Sequence, residues 1–588
     1  MRANGMVLRG VWGGLVVLLL VGCAAGTKSA VAPLSAPPAD LILYNGRVVT
    51  VDKTFSIAQA VAVREGRITI VGSNEAALVT KGAGTQLVDL HGRTVIPGLI
   101  DSHVHPAAAM TEFDHALPEM ESVEDILDYV KKRVAVVGEG KWIAVRQVFI
   151  TRLREPRYPT RAELDAAAPK NPVLFATGPD CSLNSLAMKL SGIDRDFKVS
   201  DGGPGYAERD AAGELTGILR SATRYVKVEE SGRKASEEET YRRTVELFRD
   251  YNSVGLTAVG DRSATPASLD RYKKMLDHGD LSVRLAASYH VDHIGTLESI
   301  QNRVRAAAAH PLRKPDPMLH IIGIKMFLDG GMLTGSAYMR EPWGVSKTYG
   351  ITDPNYRGVL FIPRERLLPI VRTTIESGLQ FTAHSVGDGA VHTLLSVYDE
   401  INRTTPVAAV RPCITHSNFM SREAIDEIVR LGVVVDMQPI WLYLDTRTLV
   451  QQFGYDRLRY FQPLNSLFEA GAIAGGGSDH MQKIGSLRSI NPYNPFLGMA
   501  TAITRTARWY DKPLHPEEAI SREQALRFYT INNAHLLFKE KEVGSIEAGK
   551  FADLAVLDRD LLTCPVGQIR EMQVLATYLA GRRVFERP

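Results

Sequence analysis

The sequence predicts a closed parallel (β/α)8 barrel, clasped by a small β-sandwich domain built from both chain ends. Three observations predict it. Eight short apolar, β-branched runs recur along the middle of the chain, separated by helix-like sequence; such alternation implies parallel βα units, and eight units imply a barrel. Both chain ends read instead as short strands joined by turns. The chemically distinctive polar residues fall at the C-terminal ends of the eight runs, where barrels of this kind gather their active sites.

Taken in order, residues 41–90 carry the β-like runs LILYNGRVVT, AVAVREGRITIVG and TQLVDL, with turn signals at Asn45-Gly46 and Glu65-Gly66. The C-terminus repeats this character in FADLAVLD from Phe551 and VLATYLAGRRVF from Val574. Residues 41–94 and 540–588 are therefore expected to form one composite β domain around a barrel of residues 95–539. The eight runs are Val95–His105, Leu256–Gly260, Val283–His290, Ile321–Leu328, Leu379–His384, Cys413–His416, Val433–Gln438 and Ile473–Asp479. From the third onward their spacing suits single βα units of ~30 residues or more. The first gap is far longer and predicts an insertion over about residues 110–250. It opens with a helix: Ser122 and Asp125 match a capping pattern, and Ile126, Val130 and Val134 form one stripe.

The 588 residues, 45% hydrophobic and 23% charged, suit a globular chain of two or more domains. A net charge of +3 without a Lys/Arg cluster argues against a nucleic-acid groove. No interior stretch is long and apolar enough to span a bilayer. The N-terminus reads as a targeting segment: Arg2 and Arg9, an apolar core over Val11–Val21, then Leu20-Val21-Gly22-Cys23. The last four residues resemble the lipobox of bacterial lipoproteins, which implies lipidation of Cys23 after removal of the preceding segment. A plain secretory signal cleaved near Ala24-Ala25, or an uncleaved anchor, would open the same way. The Ala/Pro/Ser-rich residues 24–40 read as a flexible tether. Cys181, Cys413 and Cys564 are too few and too widely spaced for a disulfide framework. Cys413, three residues before His416, is expected to face away from it and pack in the core.

The most informative stretch is VIPGLIDSHVHP, Val95–Pro106. Side chains two apart on a strand share a side, so His103 and His105 project together, with Asp101 below them. Two such imidazoles make half of a divalent metal site. An H-x-H alone is a weak motif. It gains weight from Lys325, His384, His416 and Asp479, which end other runs and would meet at the same barrel mouth. Each has a plainer reading: Lys325 a lysine reaching solvent, His384 and His416 hydrogen-bonded core histidines, Asp479 an N-cap. Asp479 follows three glycines, which let backbone crowd a site.

As a set, these segments resemble the amidohydrolase superfamily of metal-dependent hydrolases, in the branch of N-substituted formamide deformylase-like enzymes. They are PGLIDSHVH from Pro97, GIKMFLDG from Gly323, AHSVGD from Ala383, ITH from Ile414, GGGSD from Gly475 and GSIEAGKFADL from Gly544. The resemblance implies that His103 and His105 bind one ion, His384 and His416 a second, with Lys325 bridging as a carbamate. Asp479 would bind metal and handle the proton, and the ions would be Zn²⁺ or another divalent metal, two per chain. One departure stands out. Where the branch usually has a histidine in a D-G-H-like segment ahead of Asn-Ser, this chain reads Gly178-Pro179-Asp180-Cys181-Ser182-Leu183-Asn184-Ser185. His115, Arg340, Trp441, His480, His290 and His293 are weaker pocket candidates. The remaining histidines earn no functional reading.

The expected function is hydrolysis of non-peptide C–N bonds, chiefly amides, by a lipid-anchored enzyme facing the periplasm, on the outer membrane in a Gram-negative cell. The rivals are a deaminase or cyclic-amide hydrolase on the same ligands, and a lipoprotein that binds a ligand without catalysis. The expected partner is a small-molecule amide, with membrane contact only through the lipid.

Overall fold

The computed structural model of the chain describes residues 37–107, 112, 115–146, 148–178, 180–201, 205–229 and 234–588. Cys23, the signal segment and residues 24–36 lie outside the described residues. The last residues of the expected tether already belong to the β domain: Ala39 N–H donates to Thr80 O, and Asp40 N–H to Val63 O. Among the described residues, no helix is long and apolar enough to cross a membrane.

Eight parallel strands form one sheet in simple sequence order. They are β1 (Leu99–Val104), β2 (Leu256–Ala264), β3 (Arg284–His290), β4 (Leu319–Phe327), β5 (Gln380–Ser385), β6 (Cys413–His416), β7 (Val434–Met437) and β8 (Ala474–Gly476). All are nearly wholly buried, which is why they read as continuous apolar runs rather than alternating ones. The sheet closes just past β8, where Asp479 N–H donates to His103 O at 2.8 Å and His105 N–H to His480 O at 2.8 Å. Registers bring the strand ends level: His290 lies opposite Lys325, Phe327 opposite His384, and Ser385 opposite His416.

The run Val95–His105 is not one strand. Thr94–Pro97 pairs antiparallel with Leu554–Leu557 of the C-terminus, and only Leu99–Val104 enters the barrel. Pro97-Gly98 makes the break. A Cβ on Gly98 would stand 2.2 Å from Thr257 Oγ1, so only glycine lets the chain pass there. Thr94–Pro97 and Leu554–Leu557 lie centrally in a six-stranded sheet drawn from both chain ends. A four-stranded sheet, Leu41–Tyr44, Ala60–Arg64, Arg67–Gly72 and Gln86–Asp89, accompanies it and shares an apolar core with it. The turns expected at Asn45 and Glu65 are present, both with positive φ. Asp553, within the C-terminal motif, fastens this domain to the barrel: Arg284, first residue of β3, donates to both its oxygens at 2.7 and 2.8 Å.

The interval after β1 holds a five-stranded sheet with its own apolar clusters. It begins with helix α1 (Val123–Val137), whose capping box joins Ser122 and Asp125 and which buries Ile126 and Val130. Helix α2 (Glu237–Ser253) ends the interval and packs Leu247, Phe248 and Tyr251 into the barrel core. Cys181, Cys413 and Cys564 are free and buried.

Candidate functional site

His103, His105 and Asp479 converge at the barrel mouth. Their ligand-capable atoms all lie within 4.8 Å of one another, a spacing that one metal ion can satisfy. His105 Nε2 is 3.0 Å and His103 Nε2 3.4 Å from Asp479 Oδ1. The other predicted residues adjoin this trio. Ring centroids of His103 and His416 are 4.8 Å apart, and those of His416 and His384 are 4.4 Å apart. Lys325 is fully buried rather than solvated, and its Nζ donates to Thr415 Oγ1 at 2.8 Å.

Two positions need unusual backbone. Cys413 and Thr415 point into the barrel, toward Arg262 and Lys325. Strand parity would therefore turn His416 outward with Ile414, which lies in the core cluster shared with the helices. His416 instead adopts φ 74°, and Asp479 φ 55°, both in the left-handed region that non-glycine residues rarely occupy. Gly477 makes room beneath: a Cβ there would meet His103 Cβ at 2.7 Å. Cys413 is buried as expected, and it faces the guanidinium layer rather than the helices.

Burial depresses the His103 imidazole well below its ordinary range, and the Lys325 charge adds to this. His384 is pushed down to about 3, and His416 also falls, with neighbouring imidazoles contributing after burial. These rings are thus neutral and offer lone pairs. Burial also lowers Lys325 to about 8. Three neutral imidazoles beside a carboxylate form a donor set suited to a zinc-like divalent ion.

The sequence reading missed what orients these rings. Asp436, on β7, accepts from Ser102 Oγ at 2.6 Å, from Gln438 Nε2 at 3.0 Å and from His103 Nδ1 at 2.9 Å. Gln438 Oε1 in turn accepts from His416 Nδ1 at 2.8 Å. Both histidines therefore carry their proton on Nδ1 and keep Nε2 free, the usual arrangement behind a metal-binding imidazole. Fully buried Arg262 lies beneath, 3.5 Å from Asp436 and donating to Ser102 O and Gln380 Oε1. The signal was there: an Asp-x-Gln pair at the end of an otherwise apolar strand.

A cavity of about 550 Å³ opens over the cluster. His105, His384, His416 and Asp479 line it, whereas His103 and Lys325 lie behind them. Its walls are mainly apolar: Phe149 from the insertion, Phe327, Met332 and Leu333 from β4 and the loop after it, Phe361 and Trp441. The charged residues of the lining, Asp261, Asp329 and Asp479, are all acidic. Trp441 stacks on His416, 4.7 Å between centroids and 8° from parallel. The other weak candidates do not line the cavity. His115 meets Tyr129 in the insertion, and Arg340 meets His392 at the surface. His480 is held by Tyr251 Oη and Lys483 O. His290 bonds Ser263, and His293 stacks on Phe361, both one layer behind the wall. The segment lacking a histidine places Gly178 on the wall, and its Asp180 is tied to Arg220 and Ser221 N–H.

Comparison with known proteins follows the same lines. Residues 86–585 match the model of the Amidohydrolase family. The N-substituted formamide deformylase of Arthrobacter pascens is 30% identical over 93% of this chain and 98% of its own. An uncharacterized metal-dependent hydrolase from Pyrococcus furiosus superposes with TM-score 0.63 at 23% identity, covering 89% of this chain and all of that one. An adenosine deaminase from Xanthomonas campestris with bound zinc superposes with TM-score 0.50 at 16% identity, over 93% of each chain.

Proposed function

This chain belongs to the amidohydrolase family and is a metal-dependent hydrolase, and from that premise we propose that it cleaves non-peptide C–N bonds of small amides. The carrying observation is the convergence of His103, His105 and Asp479 at the edge of an apolar cavity. His103, His105 and Asp479 would hold a divalent ion, whose chemistry there would be to lower the pKa of a water toward neutral pH and to polarise a carbonyl. The chain's own groups do the rest. Asp479 accepts the proton of the attacking water and delivers it to the leaving nitrogen, as a general base and then a general acid. Asp436 and Gln438 hold the imidazoles of His103 and His416 in one tautomer. In this reading His384 and His416 would hold a second ion. Lys325, dry and easily neutral, would add CO2 through its amine nitrogen with loss of one proton, giving an anionic carbamate in place of a repelled ammonium.

The cavity supports an uncharged amide with an apolar substituent on nitrogen, and the Arthrobacter relative is named for N-substituted formamides. A purine deaminase needs several donors and acceptors around the ring, and walls of Phe149, Phe327, Met332 and Leu333 offer few. Elemental analysis of protein purified without chelator, with a screen of N-substituted formamides, other amides and aminopurines, tests the proposal. The expected result is about two equivalents of zinc or a similar ion and turnover of the amides. One equivalent would demote Lys325 from bridge to neighbour. Metal-free protein that no ion activates would sink the hydrolase reading.

For the N-terminus we propose lipidation at Cys23 and a periplasm-facing anchor, supported by the sequence pattern. Cys23→Ser is expected to release the protein from the membrane fraction. An unmodified Cys23 in soluble wild-type protein would exclude the anchor.

A further inference from the structure

The insertion does more than wall the cavity. Arg152 ends a short turn (Ile150–Arg152) beside the lining residue Phe149 and is 5% exposed. Its Nε and one terminal nitrogen donate to the two oxygens of Asp445 at 2.9 and 2.8 Å. Asp445 lies on helix α3 (Pro439–Phe453), which follows β7. The other terminal nitrogen donates to Ile490 O and to Asn491 Oδ1, each at 2.7 Å. Asn491 Nδ2 then donates to Asp479 O at 2.7 Å and to Asp479 Oδ2 at 3.2 Å. Oδ1 of the same carboxylate is the atom that faces His103 and His105.

The chemistry of an amide makes this chain directional. Turned over, Asn491 would set its NH2 against the guanidinium and its carbonyl against the Asp479 carboxylate, two repulsive contacts in a dry site. Arg152 therefore decides which way Asn491 faces, and Asn491 decides which Asp479 oxygen faces the histidines. The turn is itself clamped: Thr448 Oγ1, also on α3, donates to Thr151 O at 2.8 Å, and Arg447 donates to Leu153 O.

We propose that Arg152, contributed by the insertion, is a positioning residue that acts through Asn491 to orient the Asp479 carboxylate. This rests on Asp479 being the proton carrier, so Asp479→Asn accompanies the test as a reference. Asn491→Asp keeps the shape and the Arg152 contact but faces Asp479 with an oxygen. Arg152→Met with Asp445→Leu removes the buried pair as a unit and leaves no unpaired charge. Each is expected to lower kcat ~10-fold or more, the scale of supporting-shell losses, on the most active amide of the screen. KM should stay at its wild-type value, and metal content should fall no further than it does in Asp479→Asn, since Asp479 also belongs to the ligand trio. Added to Asn491→Ala, the paired replacement should cost nothing further, because both act on one carboxylate.

A rise in KM with kcat kept would mean that Arg152 only shapes the wall through Phe149, and would overturn the proposal. So would additive losses. If Asp479→Asn is inactive while Asn491→Asp and the paired replacement turn over like wild type, positioning fails and the Asp479 role stands. If Asp479→Asn is fully active, it is the Asp479 role that fails. A crystal structure of Asn491→Asp gives a readout without activity: Asp479 Oδ1 is expected to swing out of reach of His105 Nε2, and an unmoved carboxylate would refute the proposal.

Discussion

At the N-terminal end of the barrel, Arg284 and Asp553 meet almost fully buried in a two-pronged pair. The remaining Arg284 nitrogen donates to Pro317 O, and Asp553 Oδ1 also accepts from Ala580 N–H. At the C-terminal mouth, groups of one kind crowd together: the imidazoles of His103, His105, His384 and His416 run ring to ring, two of them partly open to the cavity, with His103 and His105 against Asp479. One end is closed on itself and reads as stability. The other crowds donors toward a space and bends His416 and Asp479 into rare backbone to do so. Strain and like-polarity crowding of that kind persist where function holds them.

The largest effect expected from breaking this contrast lies at the closed end. Arg284→Ala strands Asp553 as a buried, unpaired carboxylate and should cost ~3–5 kcal/mol of stability. Denaturant unfolding reads the loss, while kcat per folded molecule stays near wild type. A fall in kcat with stability intact would mean that the two ends are not separate. At the mouth, Asp479→Asn should do the reverse. A ~10²-fold loss in kcat, about 2.7 kcal/mol of barrel-mouth chemistry, is expected with little change in unfolding. Metal content must be followed alongside, since an amide oxygen is a weaker ligand.

A smaller effect compares two histidines, His320 near the start of β4 and His480 at the mouth. Burial lowers each to about 3. The unfolded chain takes up a proton on each near pH 6.5, and the fold refuses it. Stability is therefore full above pH 6.5 and falls as pH drops toward 3, by at most ~1.4 kcal/mol per pH unit for each ring. Unfolding measured at pH 7 and 5.5 should show a shallower loss in His320→Gln than in wild type; equal slopes would rule the effect out. The smallest effect belongs to the insertion. Ser122→Ala removes the capping box of α1 and should cost ~1 kcal/mol locally, read by proteolysis, with kcat unchanged.

Much of this architecture was legible because it depends on short-range pattern. The eight parallel strands announced themselves as apolar runs, since both faces of each are covered. The site residues sat at their ends, where H-x-H and G-G-G-S-D stand out from apolar neighbours. The insertion's helix was readable from Ser122, Asp125 and a 3.6-residue stripe. The split of Val95–His105 at Pro97-Gly98 was not, because the partner of Thr94–Pro97 lies in the C-terminal strand at Leu554–Leu557.

By itself, then, the sequence determined the barrel, the composite sheet and which side chains gather at the mouth, for strand period and strand ends are local properties. Tertiary structure alone decided how those side chains are used. Asp436 on β7 and Gln438 just past it fix the tautomers, and the loop after β4 supplies part of the cavity wall. Arg152 reaches Asp479 through Asn491, across more than three hundred residues of chain. A hydrogen bond between distant segments leaves no periodic trace in either one. It exists only once packing has brought both into a dry space where an unpaired polar group would be too costly to keep.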